Sequence, residues 1–251
     1  MQTFHISYPL TNQEFLKVLS NSFSEFLESG TSRSTRKLVP LHGAIACDIA
    51  QCLGEDYNVF SKGFGNGRES SISGRYMDKR VDIVITRNHE VPNGSRVTTV
   101  AGIAIKFVMQ NYSQNSNNYF ENMLGETANI RSGRYPYFQI FIIFDKLPYY
   151  SRDKEISGWE TFTLHNANKY LVLADDNIDR YFHTPNKTLI YVVHIPDNED
   201  LKTAEEYIEY YKGLDVAIEA TGRPIGEHGE AIIVNDYEEF RDKVYHTILS
   251  L

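Results

Sequence analysis

Apolar residues recur at helical spacing over residues 11–29, where Phe15, Leu16, Leu19, Phe23, Phe26 and Leu27 make one stripe. Thr11 and Glu14 stand where a capping box would open that helix. A polar stretch, 29–37, follows. Residues 40–53 then predict a second helix that starts at Pro40. Beyond it the period changes. YNVFSKGF (57–64) predicts a strand or hairpin arm, and 65–76 is rich in turn residues. KRVDIVIT (79–86) predicts a strand, followed by Asn93-Gly94 in tight-turn chemistry. The centre of 97–109 is apolar on both faces and 135–145 is apolar throughout, which marks central, covered strands. Residues 187–197 predict a further strand. Helices are predicted over 115–131, within 157–175, and over 201–214 and 236–251. A helical start followed by alternating strands and helices predicts an α/β fold, with a mixed central sheet flanked by helices. No composition shift marks a linker. A single domain over 1–251 is therefore expected, with a helical part (1–55), a core (56–195) and C-terminal helices (196–251).

Charge narrows the function. A formal net charge of −8 argues against a protein that coats nucleic acid non-specifically. A local basic groove is compatible with that sum, because binding depends on the charge near the phosphates. The segment 62–80 is such a region, with Lys62, Arg68, Arg75, Lys79 and Arg80 against Glu69 and Asp78. Cys47 and Cys52 point in different directions on one predicted helix, so no disulfide is expected. The chain has no C-x-x-C pair, no basic-then-apolar leader and no membrane-length apolar run. A cytoplasmic protein without a membrane partner is expected.

Two charges interrupt apolar strands. Asp82 is flanked by Val81 and Ile83, and Lys106 sits within VAGIAIKFVM. A buried charge is usually paired, so a plain structural ion pair between adjacent strands is one reading. The other is chemical. Carboxylates hold a hard divalent cation, and a nearby lysine orients water or offsets developing charge during phosphodiester hydrolysis. Glu121 and Glu126, on the helix after the lysine strand, are about 140° apart on their helix and flank its apolar stripe on opposite sides. Helix 40–53 adds His42 and Asp48, which either approach the site or, as a lone histidine and a lone aspartate more often do, serve as cap or surface residues.

Asp82 followed by Lys106 on the next strand resembles the PD-(D/E)XK nuclease superfamily, which includes most type II restriction endonucleases. That motif carries an acid two residues before the lysine, where this chain has Ala104, and a residue before the first acid that is often proline, where it has Val81. Some restriction enzymes of the superfamily are similar in supplying a glutamate from the following helix instead. The resemblance implies a restriction-endonuclease-like fold and Mg²⁺-dependent cleavage of double-stranded DNA by a homodimer. It implies catalytic roles for Asp82, Lys106 and Glu121, the last preferred for its distance after the lysine. Asp82 and Glu121 would hold metal, with Glu126 and Glu69 as alternatives. Arg75, Lys79, Arg80, Arg131 and Arg134 are candidate phosphate contacts. Asn115 and Asn117, in an amide-rich run, are candidate readers of adenine edges, or else a polar helix start. Two rivals stand beside this reading. One is a DNA-binding protein of the same fold without cleavage; the other is a small-molecule enzyme with an enclosed pocket at the strand ends.

Overall fold

The computed structural model describes residues 5–29, 36–92, 94–214, 218–222, 226 and 228–251. Six helices are present among them: α1 (Asn12–Ser29), α2 (Leu38–Leu53), α3 (Tyr112–Ser132), α4 (Leu164–Ala174), α5 (Ala204–Gly213) and α6 (Tyr237–Leu249). The strands are β1 (Tyr57–Ser61), β2 (Ser70–Ser73), β3 (Asp78–Val81), β4 (Ile83–Val91), β5 (Gly94–Val108), β6 (Tyr137–Phe144), β7 (Lys146–Tyr150), β8 (Ile156–Thr161), β9 (Lys187–His194), β10 (Glu219–Ala220) and β11 (Ile232–Val234).

The main sheet runs β1-β4-β5-β6-β9-β10, with β11 also paired to β9. β1, β4 and β5 form an antiparallel meander, and β5, β6 and β9 are parallel. This is the mixed central sheet that the alternation of elements predicts. All eight residues of β6 are buried, as expected of a strand covered on both faces. On one face Ile83, Ile103, Phe138 and Ile140 join the core made by α1, α2 and α6. On the other, a smaller cluster of Ile72, Val81, Val84, Ile130 and Tyr137 ties the β2–β3 hairpin and α3 to the sheet. Gly102 on β5 permits that closeness. A Cβ there would lie 2.7 Å from the Ile72 side chain and 3.1 Å from the Tyr137 ring. No helix among the described residues is long and apolar enough to cross a membrane.

Several boundaries differ from the sequence-based ones. The strand predicted over 79–86 is broken at Asp82. Before it, β3 pairs with β2; after it, β4 pairs with β1 and β5. β2 lies inside the turn-rich stretch and is mostly serine, so it leaves no apolar signal. The hairpin β7–β8 precedes α4, which begins only at Leu164, behind a capping box of Thr163 and Asn166. α2 starts at Leu38, so Pro40 falls inside the first turn, where its missing N–H costs nothing. α3 starts at Tyr112 because the Glu160 carboxylate accepts the N–H groups of Tyr112 (2.7 Å) and Ser113 (3.1 Å). Cys47 and Cys52 are free thiols. Asn93 and residues 30–35 lie outside the described residues; β4 and β5 still close to a Val91–Gly94 pair.

Candidate metal centre and the adjoining cleft

Asp82 sits at the point where the chain changes partner strands. Its Oδ2 accepts the Ile105 N–H at 2.8 Å, and the Ser61 hydroxyl donates to its carbonyl at 2.7 Å. The carboxylate therefore takes up a β5 backbone donor beside the broken strand. Lys106 lies one residue further along β5 and shares a face with Ala104. Its ammonium lies 4.2 Å from the centre of the Tyr119 ring, a contact worth about 0.5–2 kcal/mol. Asp82, Ala104, Lys106, Glu126 and Gln139 line a cleft of about 210 Å³. The small side chain at 104 leaves this space open.

The electrostatics of the two charges are opposed. Burial pushes the Asp82 carboxyl up to about 6; the Ile105 N–H counters this, and Glu69 and Glu126 reinforce it. Part of the Lys106 side chain is open to solvent, yet crowding around it lowers its pKa, against the pull of Asp82 and Glu126. Among the described residues Lys106 makes no direct ion pair, so the structural pair with Asp82 is not formed as a contact.

On its other side Asp82 meets His42 and Glu69. One donor atom from each of the three lies within 4.8 Å of the others. His42 comes from α2, which rides closely over the turn after β1. A Cβ at Gly43 would fall 2.6 Å from the Gly63 carbonyl oxygen, so only glycine allows this approach. The His42 ring is 1% exposed, and neither ring nitrogen has a hydrogen-bond partner among the described residues. Its Nδ1 is 3.9 Å from Asp82 Oδ1, too long for a hydrogen bond. Burial pushes the imidazole down to about 4, so it is neutral at pH 7, the form that ligates metal. Glu69 is steadied by Lys62 at 3.0 Å.

Two carboxylates and an orphaned buried imidazole fit a divalent cation. Oxygen donors suit Mg²⁺, while the imidazole shifts preference toward Mn²⁺ and later transition metals. The sequence placed metal on Asp82 and a helix glutamate and set Glu69 second. The geometry instead groups Asp82 with Glu69 and adds His42, for which approach to the site is the less common of two readings from sequence. Asp48 points elsewhere, accepting from the Leu10 N–H and the Tyr237 hydroxyl.

The helix glutamates separate. Glu126 faces the cleft, paired with Lys79 at 2.5 Å and accepting from the Tyr137 hydroxyl at 3.3 Å. Glu121 is exposed and does not line the cleft; its field is felt by Lys169 instead. Met123, Thr127 and Ile130 are among the α3 residues that turn inward, and this phase brings Glu126 to the sheet.

Of the candidate DNA contacts, Arg75 and Arg80 are exposed on the β2–β3 hairpin and do not line the cleft, whereas Lys79 is engaged by Glu126. Arg131 is committed to the fold, donating to the carbonyls of Ile178, Tyr181 and Thr184. Arg134 lines a separate cavity with Arg87 and His89. Asn115 donates back to the Asn111 carbonyl, and Asn117 accepts from Lys169 at 3.4 Å. Comparison with protein-family models, with curated proteins and with solved structures gives no match.

Proposed function

We propose that this chain is a divalent-metal-dependent nuclease that hydrolyses phosphodiester bonds of double-stranded DNA. The observation that carries the proposal is the position of Asp82. One side of its carboxylate meets His42 and Glu69, and the other opens on the cleft that holds Lys106. The resemblance to PD-(D/E)XK nucleases supports the substrate class, and extends it to a site-specific restriction enzyme acting as a homodimer on a palindrome.

In this reading His42, Glu69 and Asp82 hold the metal, with the Ile105 N–H fixing the Asp82 carboxylate. The cation, when bound, supplies Lewis acidity at a phosphoryl oxygen and lowers the pKa of attacking water. Lys106 places its ammonium in the same cleft, where it orients the attacking water and offsets charge that grows on the phosphate. Glu126, held by Lys79 and Tyr137, lines the same cleft and positions Lys106 electrostatically.

The test is supercoiled-plasmid cleavage with Mg²⁺ and with Mn²⁺. The wild type is expected to cut, and Asp82→Asn and Lys106→Ala to lose at least about a hundredfold in rate. A wild type inert in both metals, or variants that cut at its rate, defeats the proposal. Ala104 favours the second reading, a DNA-binding protein without cleavage. That protein would bind duplex DNA equally well with or without metal.

A further inference from the structure

The β2–β3 hairpin grows directly out of the candidate metal centre. Glu69 immediately precedes β2 and Asp82 immediately follows β3. Its strands close on a Ser73–Asp78 pair, leaving residues 74–77 as the tip. Two adjacent large side chains there point into solvent, Tyr76 at 75% and Met77 at 64% exposure. Single exposed apolar residues are ordinary; among the described residues this pair and Tyr181–Phe182 are the adjacent ones, and this pair, on a clamped turn, is the more exposed.

The clamp is Asn129 of α3, itself buried. Its carbonyl oxygen Oδ1 accepts the N–H groups of Tyr76 (2.9 Å) and Met77 (3.2 Å). Its Nδ2 donates to the Met77 carbonyl at 3.0 Å, and its backbone carbonyl accepts the Arg75 N–H at 2.8 Å. A Cβ on Gly74 would collide with the Asn129 amide at 2.4 Å, so the tip lies flush against the clamp. Below it, buried Ile72 and Val81 anchor the hairpin to the sheet. The tip is thus held in place before any partner arrives, which reduces the ordering cost of binding.

Charge indicates the partner. Arg75 directly precedes the apolar pair and Asp78 directly follows it, with Arg80 two residues further on; all three are exposed and have no ion pair among the described residues, leaving one net positive charge here although the whole chain carries −8. Two of the three exposed charges near this aromatic and thioether are cationic, a local excess that suits phosphates on either side of base faces.

We propose that Tyr76 and Met77 form a wedge that enters duplex DNA and stacks against its bases, while Arg75 and Arg80 hold the neighbouring phosphates. This rests on the nuclease reading for the class of substrate. Side chains of this kind part base steps from the minor groove, and an aromatic stacked on a base adds affinity whatever the sequence. Because the hairpin's two ends are Glu69 and Asp82, seating the wedge would set the distance from the contacted step to the metal centre.

The experiment uses full-length protein with short random-sequence duplexes, in Ca²⁺ to suppress cleavage. Trp159 is the sole native tryptophan, so Tyr76→Trp places a reporter at the tip. Duplex DNA is expected to quench the added emission. Tyr76→Ala with Met77→Ala should weaken binding roughly tenfold, and Tyr76→Phe should restore most of it. Unchanged emission with saturating duplex overturns the wedge, as does unaltered affinity in the double alanine variant. A blue shift on phosphatidylserine–phosphatidylcholine vesicles without a response to DNA also overturns it and points to a membrane surface. Plasmid cleavage with Mn²⁺ is read separately. Quenching without cleavage retains the wedge and removes the nuclease. Cleavage with no effect of the double variant retains the nuclease and removes the wedge.

Discussion

Asp48 and Asp82 are both acids taken largely out of water, and they are treated in opposite ways. Asp48 is 0% exposed and accepts two hydrogen bonds, from the Leu10 N–H at 2.7 Å and the Tyr237 hydroxyl at 2.9 Å, with the Arg241 guanidinium 3.9 Å away. It ties the N-terminal segment to α2 and α6. Asp82 has one short backbone donor and otherwise faces a histidine without partners, a glutamate and a cleft. Burial raises the pKa of both acids, but a carboxylate whose acceptor sites are taken up by its own chain has little left to offer a ligand. One left with spare acceptor capacity beside other donors costs stability and is available to a cation.

Substitution should break that contrast cleanly. Asp48→Ala leaves the buried Leu10 N–H and Tyr237 hydroxyl without their acceptor and is expected to cost roughly 3 kcal/mol in urea unfolding. Its folded fraction should bind metal normally. Loss of metal binding with unchanged stability would reverse the assignment of the two acids. His42→Ala comes next. It should weaken Mn²⁺ binding by about 10–100-fold in calorimetry and Mg²⁺ by less, because imidazole is the softer donor. Equal losses for the two metals would mean that the ring does not ligate.

The pH response sharpens the comparison further. With the Asp82 carboxyl pushed up to about 6, protons compete with metal below that value. Metal affinity should fall about tenfold per pH unit under it and level off above it. For folding of the metal-free chain the sign is opposite. A raised carboxyl pKa contributes stability on the acid side, and that contribution is lost as pH rises through about 6. Metal affinity that stays constant as pH falls through 6 would remove Asp82 from the ligand set. The smallest effect separates the helix acids. Glu126→Gln should slow cleavage several-fold, on the order of 1 kcal/mol of barrier, while Glu121→Gln leaves the rate unchanged. The reverse result would restore the glutamate preferred from sequence spacing.

The parts of the site that were legible in the sequence were local anomalies. A charge inside an apolar strand stands out, so Asp82 and Lys106 could be found from pattern alone. The antiparallel pairing that sets them on neighbouring strands also follows from the meander. His42 and Glu69 carry no such mark. Their convergence depends on α2 sliding over Gly63 and on a serine-rich strand without a hydrophobic pattern. The choice between Glu121 and Glu126 depended on the rotation of α3. That rotation is set by which residues pack inward, and the weak apolar stripe of the helix left it open. The same holds for Arg131, whose three carbonyl acceptors come from a loop some fifty residues away in sequence.

Gly102 carries a consequence for all of this. A single hydrogen at that position lets Ile72 and Tyr137 close over β5, and the hairpin rests on that contact. A methyl group there would act as a shim under the hairpin's base. Asp82 would stay tied to Ile105 and Ser61 while Glu69 moved with the hairpin, so Gly102→Ala is expected to weaken the proposed metal binding with all three proposed ligands unchanged.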